Sequence, residues 1–145
     1  MKKRKEEVPI AYFERSYVVL ALFLVITGVL VYLSFTYILN ANPWGILLAL
    51  PAAILVFQGL WLILNPYAII YKDKFEIKKS FISAKMWYFL DLKHVGESTR
   101  KGFVITYNDG DGENISDSGI RLSHKKKFRD AVNHYVCKSF VERDD

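Results

Sequence analysis

A single cysteine, Cys137, leaves this chain no intrachain disulfide framework and no cysteine cluster for a metal. That is compatible with a reducing surrounding for its segment. Charge is the larger absence: residues 16–71 contain no Asp, Glu, Lys, Arg or His. A proton relay or ion-coupled pathway inside that stretch therefore has no group to run through. Catalytic patterns are missing too. There is no Ser/His/Asp series with a nucleophile elbow and no Gly-rich phosphate loop, since Gly110 and Gly112 sit among acids that repel phosphate. Asp109, Asp111 and Glu113 begin like a calcium loop, but Asn114 stands at the sixth position, where glycine is required. A solvated turn is the expectation there. No two of His94, His124 and His134 share a helix face at a four-residue spacing, and His134 with Cys137 makes half a metal site. No cofactor and no enzymatic activity are implied. The net charge of +5 is mild and spread out, without the dense basic face and motif that nucleic-acid binding needs.

What is present is apolar length. The charge-free stretch is broken at Asn40-Ala41-Asn42-Pro43 and punctuated again at Asn65-Pro66. Its halves, 17–39 and 44–64, each reach the roughly 20 apolar residues that cross a bilayer core as a helix. The composition predicts a transmembrane hairpin over 17–64 with an outer turn at 40–43. The first run is longer than a signal-peptide core and ends in no small-residue cleavage pattern, so an uncleaved helix is expected. Lys2, Lys3, Arg4, Lys5 and Arg15 precede the hairpin, and Lys72, Lys74, Lys78, Lys79 and Lys85 follow it, whereas the turn is uncharged. The retention of basic flanks on the cytoplasmic side then places both termini inside. Tyr17, Tyr37, Trp44, Trp61 and Tyr67 fall where headgroups should lie, and Tyr17, Trp44, Trp61 and Tyr67 are expected to act as interface anchors. Gly45, Ala49 and Ala53 repeat every four residues and predict a helix-packing stripe, facing Ala21 and Gly28 of the first span or a second subunit. Homo-oligomerisation stays open on that reading. Pro51 should kink or loosen the second span, and Gln58 should hydrogen-bond to the neighbouring helix.

Beyond Pro66 the period changes. Residues 1–16 read as a basic cytosolic tail and residues 67–141 as a β-rich module. Tyr67-Ala68-Ile69-Ile70-Tyr71 and Phe75-Glu76-Ile77-Lys78 predict a hairpin, which 81–83 continues or closes. Lys85-Met86-Trp87-Tyr88-Phe89-Leu90 and Phe103-Val104-Ile105-Thr106-Tyr107 read as further strands, with a turn at 108–112 and an irregular strand within 114–122. Phe128, Ala131, Val132, Tyr135, Val136 and Phe140 recur at threes and fours, predicting an amphipathic helix over 124–141 with Ser123 as its N-cap. The fold class is α+β: a two-helix membrane hairpin, then a small antiparallel sheet or partial barrel closed by a C-terminal helix. Asn114-Ile115-Ser116 matches a glycosylation acceptor but should face the cytoplasm.

Two spans feeding a β-rich module with a closing helix resemble small bacterial membrane proteins that carry a pleckstrin-homology-like domain. Asn65-Pro66 leading into the 67–77 hairpin supports the likeness, as does Phe89-x-Asp91-Leu92-x-x-Val95. A full barrel of that kind has seven strands, and five or six can be counted here. The resemblance implies a multi-pass protein of the bacterial inner membrane whose module binds a protein partner at the bilayer surface. Lys72, Lys74, Lys78, Lys79, Lys125, Lys126, Lys127 and Arg129 are candidates for lipid-headgroup contact beside an anionic leaflet. The alternative is a toxin-immunity or stress protein acting through its hairpin. A small transporter is disfavoured by the uncharged spans.

Overall fold

Two helices take up the apolar halves at the bounds composition predicts: α1 (Tyr17–Leu39) and α2 (Trp44–Leu64). The computed structural model describes residues 8–99 and 102–141; the basic residues at positions 2–5 lie outside that range. The connecting turn puts Ala41 at φ 52°, and Asn42 Oδ1 accepts from the Trp44 N–H at 3.0 Å. Helix α2 continues through Pro51, which lies on an exposed face.

The helices do not meet along the Gly45/Ala49/Ala53 stripe. The buried positions are Thr27 and Ser34 on α1, and Gly45, Ala52 and Gly59 on α2, each seven apart. A four-residue step advances about 40° around a helix, while a seven-residue step falls back only about 20°. The four-residue stripe therefore drifts out of the seam, leaving Ala49 half-buried and Ala53 exposed. Gly28 is exposed, with open space where a Cβ would stand. Gly45 is the tightest point: an added Cβ would sit 2.5 Å from the Ile38 nitrogen. Ser34 Oγ donates to the Gly45 carbonyl across the seam at 3.0 Å.

Strand β1 (Ala11–Phe13) lies within the stretch expected to be a tail. It pairs antiparallel with β2 (Ala68–Ile70), placing Tyr12 opposite Ile69. The whole hairpin is thus an insertion between two hydrogen-bonded strands of one sheet. Further backbone bonds tie the same segment to the far end of the module: Ser16 N–H to Gly119 O at 2.8 Å and Arg121 N–H to Glu14 O at 3.0 Å. β3 (Lys74–Lys78) and β4 (Ala84–Tyr88) complete a sheet of order β1-β2-β3-β4. Residues 81–83 do not extend a strand. They lie in the loop joining β3 and β4, pinned by Lys79 N–H to Ser83 O at 2.9 Å.

A short 3-10 turn at Phe89–Asp91 leads into a second sheet of β5 (Leu92–Thr99), β6 (Gly102–Tyr107) and β7 (Gly112–Ser116), in that order. Strand β5 is absent from the sequence expectation because its pairing shifts register between Leu92 and His94 and again between Val95 and Ser98. Leu92 and Val95, three apart, are both buried, which strict alternation would forbid. No backbone ladder joins the two sheets among the described residues, so the barrel is not closed.

Helix α3 (Leu122–Val141) starts two residues before the expected bound, so Ser123 lies in its first turn rather than capping it. Phe128, Val132 and Val136 are fully buried on the predicted face. The Phe128 ring meets Phe13 at 5.0 Å and Phe75 at 6.0 Å in one sheet, and Phe103 at 5.9 Å in the other. A single side chain thereby fastens both sheets to the helix.

Candidate functional site

Where the hairpin leaves the module, the connecting residues converge on Arg15. Its guanidinium carbon lies over the rings of Trp61 and Tyr67, 5.3 and 5.5 Å from their centroids. Nε donates to Asn65 O at 3.1 Å, and the terminal nitrogens donate to Lys78 O and, at 3.5 Å, Lys79 O. Arg15 thus ties the start of α1 to the end of α2 and to β3. All of these acceptors are neutral, and no carboxylate pairs with it among the described residues. Burial pulls its pKa below the ordinary arginine value, opposed by the nearby Tyr67 phenol. Burial likewise raises the pKa of Tyr67, partly offset by Arg15.

Beside Arg15 opens a pocket of about 430 Å³. Val19, Leu20 and Phe23 of α1 and Leu62 of α2 form an apolar wall. Arg15, Ser16, Lys79, Ser116 and Ser118 form a polar end. Gly119 allows the close approach of Tyr67, since a Cβ there would stand 2.1 Å from that ring. The Tyr67 hydroxyl donates to Ser116 O at 3.2 Å, and the residue is buried in the module core. Tyr67 is therefore a core residue rather than an exposed anchor. Trp61 is half-buried beneath Arg15, while Tyr17 and Trp44 are exposed. Arg121 lies over the Tyr17 ring at 4.8 Å.

Among the described residues Gln58 bonds to the β3–β4 loop rather than to the neighbouring helix. Its Oε1 accepts from the Phe81 N–H at 3.4 Å, and the Phe81 ring packs edge-on against Phe57 at 5.4 Å. Phe57 lies about two turns, or about 10 Å, before the end of α2. The β3–β4 loop therefore climbs the side of the hairpin, carrying Ile82 exposed at its tip.

The basic candidates separate into two kinds. Lys125 and Arg129 both pair with the buried Asp117, at 3.3 and 3.4 Å, and Lys78 reaches Glu76 at 3.8 Å. Lys74 lies over the rings of Tyr71 and Tyr88. These groups have structural partners. Lys72, Lys79, Lys126 and Lys127 are exposed, and Lys72 flanks a cleft with Lys138 and Tyr135.

Glu113, noticed in sequence only as part of a failed calcium loop, bridges the gap between β4 and β7. It accepts from Lys85 Nζ, from Trp87 Nε1 at 3.1 Å and from the Tyr107 hydroxyl at 2.6 Å. Burial alone would raise its pKa, but the Lys85, Tyr107 and Trp87 hydrogen bonds hold it down at about 2. Burial and the Glu113 carboxylate together push Tyr107 up to about 12. Side chains thus join the sheets where no ladder does. Among the described residues no group of three His, Cys, Asp or Glu is placed to hold a metal ion. Comparison of the chain with protein-family models, curated proteins and solved structures finds no match.

In sequence, Arg15 reads as one more topology-setting flank charge, since only the fold brings Trp61 and Tyr67 around it. The signal for the true helix seam was the seven-residue spacing of small and hydroxyl residues.

Proposed function

We propose that the chain is a multi-pass membrane protein whose hairpin crosses the bacterial inner membrane twice and holds a pleckstrin-homology-like module against the cytoplasmic surface. The module acts as a non-enzymatic platform for a protein partner, with lipid headgroups touching its base. The observation that carries this reading is the insertion of α1 and α2 between β1 and β2 while only 11% of each apolar window is buried. Leaving that much apolar surface in water is unfavourable by roughly 25 cal/mol per Å², and a bilayer removes the penalty. Pairing of β1 with β2 requires both ends of the hairpin to emerge on one side, in keeping with the basic flanks. Seven strands in a four-plus-three arrangement with a C-terminal helix favour the pleckstrin-homology-like reading over a simple sheet. Met86, Tyr88 and Leu90 are exposed around β4 and supply apolar surface for a partner. Tethering raises the module's effective concentration for neighbours at the same surface.

The single exposed thiol gives a direct test. In intact spheroplasts, a membrane-impermeant maleimide should leave Cys137 unlabelled and should label Asn42→Cys made in a Cys137→Ser background. Labelling of Cys137 from outside would overturn the topology. Co-purification after mild detergent extraction tests the partner, and failure to enrich any protein argues against the platform. A second reading, protection through the hairpin as in toxin immunity, draws on an apolar groove of about 520 Å³ that includes Ala49, Ala53, Val31 and Phe35. Replacing the hairpin with an unrelated one separates the two: retained function favours the module, lost function the groove.

A further inference from the structure

We infer that the pocket at the hairpin base is a binding site for an anionic phospholipid of the module-side leaflet, taking the phosphate at Arg15 and Lys79. The acyl chain would run along Val19, Leu20 and Phe23. This rests on the membrane reading above and assigns that surface a specific ligand and place.

The charge arrangement is the first ground. Arg15 is partly buried yet bonded only to backbone carbonyls, and three of its donors are taken. A guanidinium has five N–H donors, so one remains on each terminal nitrogen. Its three backbone hydrogen bonds and the nearby Trp61 and Tyr67 rings hold the fork in place, and a guanidinium fork suits a phosphate oxyanion. The Lys79 carbonyl is itself bonded to Arg15, so the two cationic residues are neighbours, and the Lys79 ammonium has no partner among the described residues. A partly desolvated cation beside a second one favours an anion between them.

Polarity is the second ground. Where α1 and α2 rise, the pocket is lined by Val19, Leu20, Phe23 and Leu62, with Gln58 as the one polar side chain. Where they join the module it is lined by Arg15, Lys79 and the hydroxyls of Ser16, Ser116 and Ser118. A soluble anion has no use for the apolar wall, and a neutral lipid has no use for Arg15. A volume of about 430 Å³ falls in the range of small-ligand sites and holds a headgroup with the start of one chain.

Native mass spectrometry of the full chain in detergent, with dioleoylphosphatidylglycerol and dioleoylphosphatidylcholine in equal amounts, tests this. The expected result is one phosphatidylglycerol retained preferentially, with retention about fivefold weaker in Lys79→Gln and unchanged in Lys93→Gln, at an exposed β5 position outside the pocket. Arg15→Gln also removes ties between α1, α2 and β3, so Lys79→Gln carries the test, since the Lys79 ammonium makes no ion pair among the described residues. Equal retention of the two lipids, or no effect of Lys79→Gln, overturns the inference. Displacement of the lipid by inorganic phosphate alone would assign the site to a soluble anion and also overturn it. The thiol-labelling topology is read independently, so failure of the lipid site is distinguishable from failure of the membrane reading.

Discussion

The hairpin and the module solve opposite problems with one chain. In the hairpin the large apolar side chains, Leu22, Val25, Leu47 and Leu50 among them, point outward, and the contact seam is made of Thr27, Ser34, Gly45, Ala52 and Gly59. In the module the order inverts: Phe75, Phe89, Phe103 and Phe128 are fully buried and polar groups face out. On the proposed membrane reading the hairpin's surroundings are as apolar as leucine, so its helices would gain little from hiding large side chains and would associate by close backbone approach. Water imposes the reverse, and a small module needs a dense aromatic centre to fold. The comparison teaches that stability should be lost by truncation in one region and by enlargement in the other.

The largest expected effect is truncation in the module. Phe128→Ala empties the junction of both sheets and α3 and should cost about 3–5 kcal/mol. Chemical unfolding followed by the near-ultraviolet signal of the module would read it; a loss below about 1 kcal/mol would mean that the ring is not the shared fastening. Enlargement in the hairpin comes next. Gly45→Val drives a branched side chain into the Ile38 backbone and should cost about 1–3 kcal/mol or part the helices locally. Ala53→Leu, on the exposed stripe, should be tolerated. Protease or cross-linking accessibility of the two helices in detergent separates these outcomes, and equal damage from both would restore the four-residue stripe as the contact face.

Legibility in the sequence follows the same division. The helix bounds were readable because a bilayer-length apolar run needs no knowledge of its partner. β3, β6 and the buried face of α3 were readable from local period. β1 was hidden because it has three residues and its partner β2 lies beyond the whole hairpin. β5 was hidden because its bulges place Leu92 and Val95 on one side. The pocket was invisible for the same reason as β1. Arg15, Trp61, Lys79 and Ser116 are far apart in the chain, and composition carries no sign that they converge.

Glu113 offers a middle-sized effect and a pH signature. Its depressed folded pKa of about 2, against an ordinary 4.5, means its contribution is present above 4.5 and is lost as pH falls toward 2. Tyr107, raised to about 12 from 10, contributes below pH 10 and loses that contribution as pH rises through 12. Glu113→Gln should destabilise the module by about 1–3 kcal/mol at neutral pH and flatten the acid limb of its melting profile. Lys85 is the most exposed of the three donors, so Lys85→Met should cost only a few tenths to about 1 kcal/mol. A Glu113→Gln variant that keeps the full acid dependence would move the linkage to other carboxylates.

The smallest effect lies at the hairpin turn, where neither region's packing logic applies. Ala41 holds φ 52°, a left-handed conformation that a Cβ disfavours by about 1 kcal/mol. Its N–H still bonds to Ile38 O at 3.0 Å, and the neighbouring Asn42 N–H to Tyr37 O at 2.9 Å. The turn is thus held by backbone bonds that glycine would keep while relieving the strain. Glycine also adds freedom to the unfolded chain, which offsets part of the gain. Ala41→Gly should therefore stabilise the hairpin by no more than about 1 kcal/mol. Ala41→Val, branched at the same φ, should destabilise it by more than that. Paired detergent melts of the two variants check the sign: a stabilising valine would place the turn in a different conformation and reopen how the helices are joined.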